Sequence, residues 1–201
     1  MAEAHAEVAH ATTTGLDNRK LGFWIFLGSE TLFFGSFISA YMAYKNESIV
    51  GPYTRDVFDI PLTSISTFVL LMSSLAMVLG LAGVQQANRK MALTWLGATI
   101  VLGATFLGFQ AFEFTEFYHH GLTIQTNLLG STFFILTGFH GAHVTVGAVW
   151  LLSLWMYSLR RGIPPSKARM VEIAGLYWHF VDVVWIVIFT VVYLAPTALL
   201  F

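Results

Sequence analysis

The sequence predicts an all-α integral membrane protein, built as a bundle of five transmembrane helices. Of its 201 residues, 56% are hydrophobic and only 10% are charged, whereas soluble domains are about one quarter charged. A soluble fold of this length needs more polar residues to cover its surface. The net charge of −1 gives no electrostatic attraction to nucleic acid. The absence of cysteine excludes disulfides and thiolate metal sites.

Each predicted helix is an apolar segment longer than the roughly 20 residues needed to cross the hydrocarbon core. The strands of a membrane barrel would be about 9–11 residues long and strictly alternating, so a barrel is excluded. The helices are predicted at about 21–44, 60–84, 92–117, 128–159 and 173–200. Residues 1–18 do not have the pattern of a signal peptide. We predict a polar tail there and a single membrane domain over 19–201.

Local features support these helices in order. The first follows Arg19 and Lys20, and the second has Pro61 in its first turn, where a missing N–H costs little. The third and fourth contain glycines, which allow helices to approach closely in lipid. These glycines are Gly97, Gly103 and Gly108, then Gly130, Gly138, Gly141 and Gly147. The fifth helix follows a basic segment and contains both His179 and Asp182.

The basic residues predict the orientation of the bundle. Ten lysines and arginines are present, and all but Lys45 and Arg55 fall in segments that five crossings place on one side. Cytoplasmic segments are enriched in basic residues. We therefore expect a cytoplasmic N-terminus and a C-terminus outside.

Eight ionisable residues lie within the predicted helices or at their ends, where a charge at the bilayer centre costs on the order of 3 kcal/mol. They are Glu30, Glu113, Glu116, Glu172, Asp182, His140, His143 and His179. Each needs a partner or a function. Glu30 lies near mid-membrane with no cation one turn away on its own helix. It is expected to be protonated, bonded to another helix, or facing water or a lipid head group. Glu116 is close enough to the interface to be hydrated.

The spacing of the remaining residues predicts a buried polar network. His140 and His143 are one turn apart, as are His179 and Asp182, and Glu172 lies two turns before His179. The predicted network joins Glu30, His140, His143, His179 and Asp182, with Glu113 and Glu172 adjoining. The same residue types occur in proton relays and in carboxylate–histidine metal sites, so a proton or ion path and a metal site stay open as alternatives.

Four segments carry a family resemblance. They read Gly-Ser-Glu-Thr-Leu-Phe-Phe-Gly at 28–35, Leu-Gly-Phe-Gln-Ala-Phe-Glu at 107–113, Thr-Gly-Phe-His-Gly-Ala-His-Val at 137–144, and Tyr-Trp-His-Phe-Val-Asp-Val-Val-Trp at 177–185. In this order they resemble subunit III of the haem–copper terminal oxidases, the cytochrome c and quinol oxidases. The match covers about residues 19 to 195. It places the family's carbodiimide-reactive glutamate at Glu30, and Phe114 stands where the family usually has tyrosine.

The resemblance implies an accessory subunit of a complex that reduces oxygen to water and pumps protons in aerobic respiration. It implies no catalytic residue, redox centre or metal in this chain, with haem and copper in partner subunits I and II. The family's subunit III packs mainly against subunit I, holds structural phospholipid, supports proton uptake and protects the oxidase from turnover-linked inactivation. A small subunit IV and a respiratory supercomplex are further implied partners, and the bacterial cytoplasmic membrane is the implied location.

Lipid and transport functions complete the predictions. The longer mitochondrial form of the family has seven helices and a lipid-filled cleft after the second, and this chain resembles only the last five. Glu30, Arg160 and Arg161 are the candidate lipid-binding residues, the arginines through a lipid phosphate; ordinary positive-inside anchoring is the alternative for the arginines. An independent proton or ion transporter that uses the buried Glu, His and Asp residues is the alternative function, and a purely structural lipid-binding scaffold is another.

Overall fold

The computed structural model describes residues 18–45, 47, 51–52 and 58–195. Within these residues the protein is all-helical, and five helices are long and apolar enough to cross a membrane. The predicted fold class is therefore confirmed. The predicted polar tail, apart from its last residue, and the predicted end of the fifth helix beyond residue 195 lie outside the described residues.

The five helices extend the predicted segments at most of their ends. They are α1 (Asn18–Tyr44), α2 (Ile60–Gln85), α3 (Arg89–His119), α4 (Leu128–Arg161) and α5 (Ala168–Ile188). A 3₁₀ turn at Pro165–Lys167 leads into α5, and a π-helical segment at Phe189–Leu194 continues it. Because α5 begins at Ala168 rather than at the predicted residue 173, Glu172 lies within its first turns.

Side-chain caps explain where three helices begin. The side chain of Asp59 accepts a hydrogen bond from the backbone N–H of Leu62 at the start of α2, where Pro61 also lies. Asn88 and Asn127 accept in the same way at the starts of α3 and α4. Such caps satisfy backbone N–H groups that the first turn leaves without partners. Polar residues between the apolar segments thereby fix the helix starts.

Helix α5 lies at the centre of the bundle. It packs against α1, α2 and α4, while α3 packs against α2 and α4, and α1 packs against α4 and α5. Trp178 of α5 occupies the middle of this arrangement, with its indole N–H donating to Ser73 Oγ of α2 at 3.0 Å. A Cβ atom at Gly103 of α3 would lie 2.6 Å from the Trp178 ring, and one at Gly147 of α4 would lie 3.0 Å from it. These two glycines make the close packing of the central tryptophan possible.

The predicted packing role fits some of the glycines and not others. Gly97 lies against Trp155, and Gly141 lies against Gln110. By contrast, no other described side chain or helix comes within 4 Å of the place that a Cβ would take at Gly108 of α3 or Gly138 of α4. Spacing along a helix therefore does not by itself identify the glycines at a helix contact.

Two contacts bring the basic segments to one end of the bundle. Lys20 Nζ, at the start of α1, forms an ion pair with Glu172 Oε1 near the start of α5 at 2.6 Å. Arg89 Nη2, at the start of α3, donates to the carbonyl of Leu159 near the end of α4 at 2.7 Å. The grouping assumed for the positive-inside argument is present, and the assignment of this end to the cytoplasm stays a prediction.

Candidate functional site

Glu30 pairs with a histidine from another helix. Its Oε2 lies 3.1 Å from Nε2 of His143, which joins α1 to α4 near the middle of both helices. A bond to another helix was one of the alternatives expected for Glu30, and this contact is such a bond. About one fifth of each side chain is accessible, and the rings of Phe33 and Phe34 lie against the imidazole.

The hydrogen bonds of His143 determine where the protons of this pair lie. His143 Nδ1 lies 2.8 Å from the carbonyl oxygen of Phe139. A carbonyl only accepts, so Nδ1 carries a proton. The contact between Nε2 and Glu30 then contains a single proton, held either by an imidazolium beside a carboxylate or by a carboxylic acid beside a neutral imidazole. Both arrangements have zero net charge, which lowers the cost of placing the pair in a membrane.

His140 occupies a different environment although it lies one turn from His143. It is fully buried, and its Nε2 donates to the carbonyl of Val181 on α5 at 3.1 Å. Its ring stacks on Trp185 with centroids 4.9 Å apart. Within the part of the chain that the structure describes, Nδ1 has no hydrogen-bond partner, as expected for the unprotonated nitrogen of a neutral imidazole. The two histidines point at different helices, so they do not form the shared pair of ligands that their spacing allowed.

His179 and Asp182 meet through a serine. Ser74 Oγ of α2 lies 2.6 Å from Asp182 Oδ2 and 3.2 Å from His179 Nδ1, so one hydroxyl bridges the two α5 side chains. Asp182 is 95% buried, and its second oxygen, Oδ1, has no hydrogen-bond partner among the described residues. This cluster, Ser74–His179–Asp182, ties α2 to α5 beside the ring of Trp178.

Glu113 lies nearer the other end of the bundle. Its carboxyl contacts the hydroxyl of Thr63 on α2, and both side chains are buried. Gln110, one turn earlier, donates from Nε2 to the carbonyl of Thr137 on α4 at 2.8 Å. Glu116 is exposed, because each step of three residues rotates the side chain around the helix by about 60°. The acidic end of α3 is thus divided between the core and the surface.

The hydrogen bonds of the described residues place the seven predicted residues in separate groups. Glu30 pairs with His143, and His140 bonds to the Val181 carbonyl. His179 and Asp182 are joined through Ser74. Glu113 contacts α2 through Thr63, and Glu172 pairs with Lys20 at the end of the bundle. Within the described part of the chain, no three His, Asp or Glu side chains are grouped closely enough to hold a metal ion. The functional roles of these residues stay predictions.

Sequence analysis did not identify three residues that contact the predicted site residues. Thr63, Ser74 and Lys20 contact predicted site residues, yet none was a candidate. The available signal was weak, because hydroxyl residues are common in α2 and most of those in the bundle bond to their own helix backbone. Which serine meets a histidine depends on how α2 and α5 are packed.

A groove lies where α4 reaches the basic end of the bundle. It has a volume of about 450 Å³ and is lined by Ser153, Met156, Tyr157, Arg160 and Arg161. Lys167 lies beside it, with Nζ 3.3 Å from the hydroxyl of Tyr157. The groove combines two guanidinium groups with the apolar Met156 side chain and an aromatic ring. An amphipathic ligand with an acidic group is the kind of molecule that such a surface fits.

The fold is that of a multi-pass membrane protein, and comparison with known proteins identifies its family. Residues 1–196 match the sequence profile of the family described as cytochrome c oxidase subunit III. The chain belongs to this family, and so to the subunits of haem–copper oxidases.

Relatives from both branches of these oxidases are similar over nearly their whole length. Cytochrome c oxidase subunit 3 of Bacillus sp. (strain PS3) is 42% identical over 185 residues, which cover 92% of this chain and 89% of that protein. The subunit of the same name from Bacillus subtilis (strain 168) is 44% identical over 178 residues, 88% of this chain and 86% of that one. Quinol oxidase subunit 3 of the same organism is 37% identical over 191 residues, 95% and 93% of the two chains.

Proposed function

We propose that this chain is an accessory subunit III without a redox centre of its own, which stabilises subunit I, holds structural phospholipid and supports proton uptake. The proposal rests on the contacts made by the ionisable residues that are energetically unfavourable in a membrane. Glu30, His140, Glu172, Asp182 and Glu113 each contact a group on another helix. Their polar atoms serve to hold the bundle together. Haem and copper would be bound by the partner subunits I and II.

The Glu30–His143 pair supports the part of the proposal that concerns protons. It shares one proton between two titratable groups, lies near mid-membrane, and remains partly accessible at the surface of α1 and α4. Transfer of the shared proton from one group of the pair to the other leaves the pair without net charge in both forms. We propose that the pair acts beside subunit I. The chain would lie in the bacterial cytoplasmic membrane with its N-terminus in the cytoplasm.

The accessory function is tested by purifying the oxidase complex with and without this chain. We expect unchanged haem and copper content per subunit I, near-normal initial oxygen uptake, and faster loss of activity during turnover when the chain is absent. Loss of haem or copper together with the chain would contradict the proposal. Proton flux through the purified chain alone in liposomes would instead support the independent transporter.

The lipid function is tested at the groove of Arg160 and Arg161. We expect the double substitution Arg160→Gln and Arg161→Gln to lower the amount of phospholipid that stays bound to the complex in native mass spectrometry. Lys90→Gln is the matched control, because Lys90 is a basic residue at the same end of the bundle but does not line the groove. Equal lipid retention in both variants would show that these arginines act only as general interfacial anchors.

A further inference from the structure

A second groove lies at the basic end of the bundle, between the α2–α3 turn and the segment that joins α4 to α5. It has a volume of about 340 Å³, and its walls include Ala87, Arg89, Ser158 and Arg161. We call it the inter-loop groove. It shares Arg161 with the groove of Arg160, but Arg89 and Ser158 do not line that other groove. The inter-loop groove is therefore a separate candidate site.

Contacts between helix ends hold the walls of this groove in place. Arg89 Nη2 donates to the carbonyl of Leu159 at 2.7 Å, which ties the start of α3 to the end of α4. Gly83 of α2 lies so close to α3 that a Cβ there would come within 2.6 Å of the backbone nitrogen of Ala92. Walls that are fixed before a ligand arrives lower the entropic cost of binding it.

The positive charge of the groove is not balanced by carboxylates. Two guanidinium groups, those of Arg89 and Arg161, line it. Residues 60–112 and 117–171, which contain both connections, include no aspartate or glutamate, and neither arginine forms an ion pair within the described residues. The bond to the Leu159 carbonyl uses only one of the five N–H donors of Arg89. Guanidinium groups with free donors bind phosphate and carboxylate groups through paired hydrogen bonds.

A buried serine adds a third donor to the groove. Ser153, also on α4, donates to the carbonyl of Trp150 on its own helix. Ser158 is only 1% exposed, and its hydroxyl, unlike its backbone carbonyl, has no hydrogen-bond partner among the described residues. Its oxygen is not among the fully enclosed polar atoms, so the small accessible part of this residue is the hydroxyl that faces the groove. Because a buried hydroxyl without a partner is unfavourable, an acceptor in the groove would stabilise it.

We propose that the inter-loop groove binds a phosphate group, which accepts hydrogen bonds from Arg89, Arg161 and the hydroxyl of Ser158. A phosphate group has three strong acceptor oxygens, one for each of these three side chains, whereas a carboxylate has two oxygens. A soluble phosphate compound and a phospholipid head group both have this chemistry, and both have access to the end of a transmembrane bundle. The site is separate from the lipid function assigned to the groove of Arg160.

The first test places a negative charge in the groove. Ala87 has a φ of 56° and lines the groove, and aspartate tolerates that left-handed conformation. Ala87→Asp should therefore fold normally and repel a phosphate group. Gln86→Asp is the matched control, because it makes the same change of charge one residue earlier at an exposed position that does not line the groove.

Two measurements on the purified oxidase complex distinguish the sources of the phosphate group. Equilibrium dialysis of the delipidated complex with radioactive orthophosphate measures a soluble ligand, and native mass spectrometry of the gently extracted complex measures retained phospholipid. We expect Ala87→Asp, compared with Gln86→Asp, to lose one bound phosphate or one bound phospholipid per complex. A loss of phospholipid identifies a head group, and a loss of orthophosphate alone identifies a soluble ligand. Equal binding by the two variants in both measurements would overturn the proposal.

The second test removes the buried hydroxyl. Ser158→Ala deletes one hydrogen bond to a charged group, so we expect about tenfold weaker binding, or weaker still, of the ligand that the first test identifies. Ser153→Ala is the control, since that hydroxyl bonds to its own helix. The free energy of unfolding of both variants shows that neither loss of binding is a loss of folding. If the two serine variants bind the ligand equally, the phosphate site as proposed is excluded.

Discussion

Helices α1 and α5 are both long and apolar enough to cross a membrane, but they are held in the bundle differently. In the most apolar part of the helical stretch that contains α5, 50% of the residues are buried. In the most apolar part of α1, 11% are buried. Helix α5 contributes the rings of Trp178 and Trp185 to the core. Helix α1 buries only Leu27, Phe34 and Tyr41, which are spaced seven residues apart.

The two helices show two ways of placing a transmembrane helix. Packing fixes α5, because large rings fill space between three neighbours and small residues on those neighbours admit the rings. Helix α1 is fixed by a narrow line of contacts and by two polar pairs, Lys20–Glu172 and Glu30–His143. We therefore expect the loss of a central α5 ring to cost more than the loss of an exposed side chain of α1.

The largest expected effect is at Trp178. Trp178→Ala should lower the free energy of unfolding by about 3–5 kcal/mol, because a large cavity opens between four helices. Trp24→Ala on α1, where the side chain is 53% exposed, should change it by less than about 1 kcal/mol. Unfolding of the purified chain by SDS in mixed micelles measures both. Similar losses at the two positions would remove the distinction between the helices.

A smaller effect is expected from adding one methyl group to a glycine beside that ring. Gly103→Ala forces a Cβ into the Trp178 ring, and overpacking of this kind costs about 1–3 kcal/mol. Gly108→Ala is matched to it on the same helix. It has the same gain in helix propensity, but no other described side chain or helix lies within 4 Å of the added Cβ. The difference between their unfolding free energies isolates the contact. A zero difference would mean that the ring can move aside.

The pair Glu30–His143 should contribute about 0.6 kcal/mol, and at most about 1.7 kcal/mol, to the docking of α1, which are the average and the maximum for interhelical hydrogen bonds in membranes. A double-mutant cycle of Glu30→Leu and His143→Leu measures this coupling. Because the pair shares one proton, Glu30→Gln can donate to a neutral His143 and should lose less than Glu30→Leu. A coupling near zero would assign the attachment of α1 to its apolar contacts alone.

The smallest effect is expected from the ion pair at the end of the bundle. Lys20 and Glu172 are 43% and 36% exposed, and such pairs contribute about 0.2–1 kcal/mol. Lys20→Met should therefore destabilise the chain slightly, and the effect should shrink at high salt because exposed charges are screened. Exchanging the two charges should restore the stability. Lys90→Met, at the same end, serves as the control for loss of a positive charge.

The sequence predicted the membrane class, the number of helices and most helix bounds. These depend on apolar length, on which the bilayer acts directly. The start of α5 was placed too late, because its first turn contains Arg169, which the apolar pattern excludes although arginine favours helices. The seven candidate residues were selected from their cost in lipid. Their partners Thr63, Ser74 and Lys20 could not be selected that way, since each is an ordinary residue in its own helix.

The sequence by itself determined that five helices cross the membrane, that they have charged ends, and that certain acids and histidines need partners. Those properties follow from the solvation of single side chains and of one helix at a time. Only the tertiary structure decided that Glu30 meets His143, that Ser74 joins His179 to Asp182, and that Gly103 rather than Gly108 admits a tryptophan ring. Such choices depend on how helices rotate and cross, because a rotation of about 60° replaces one set of side chains at a contact with another.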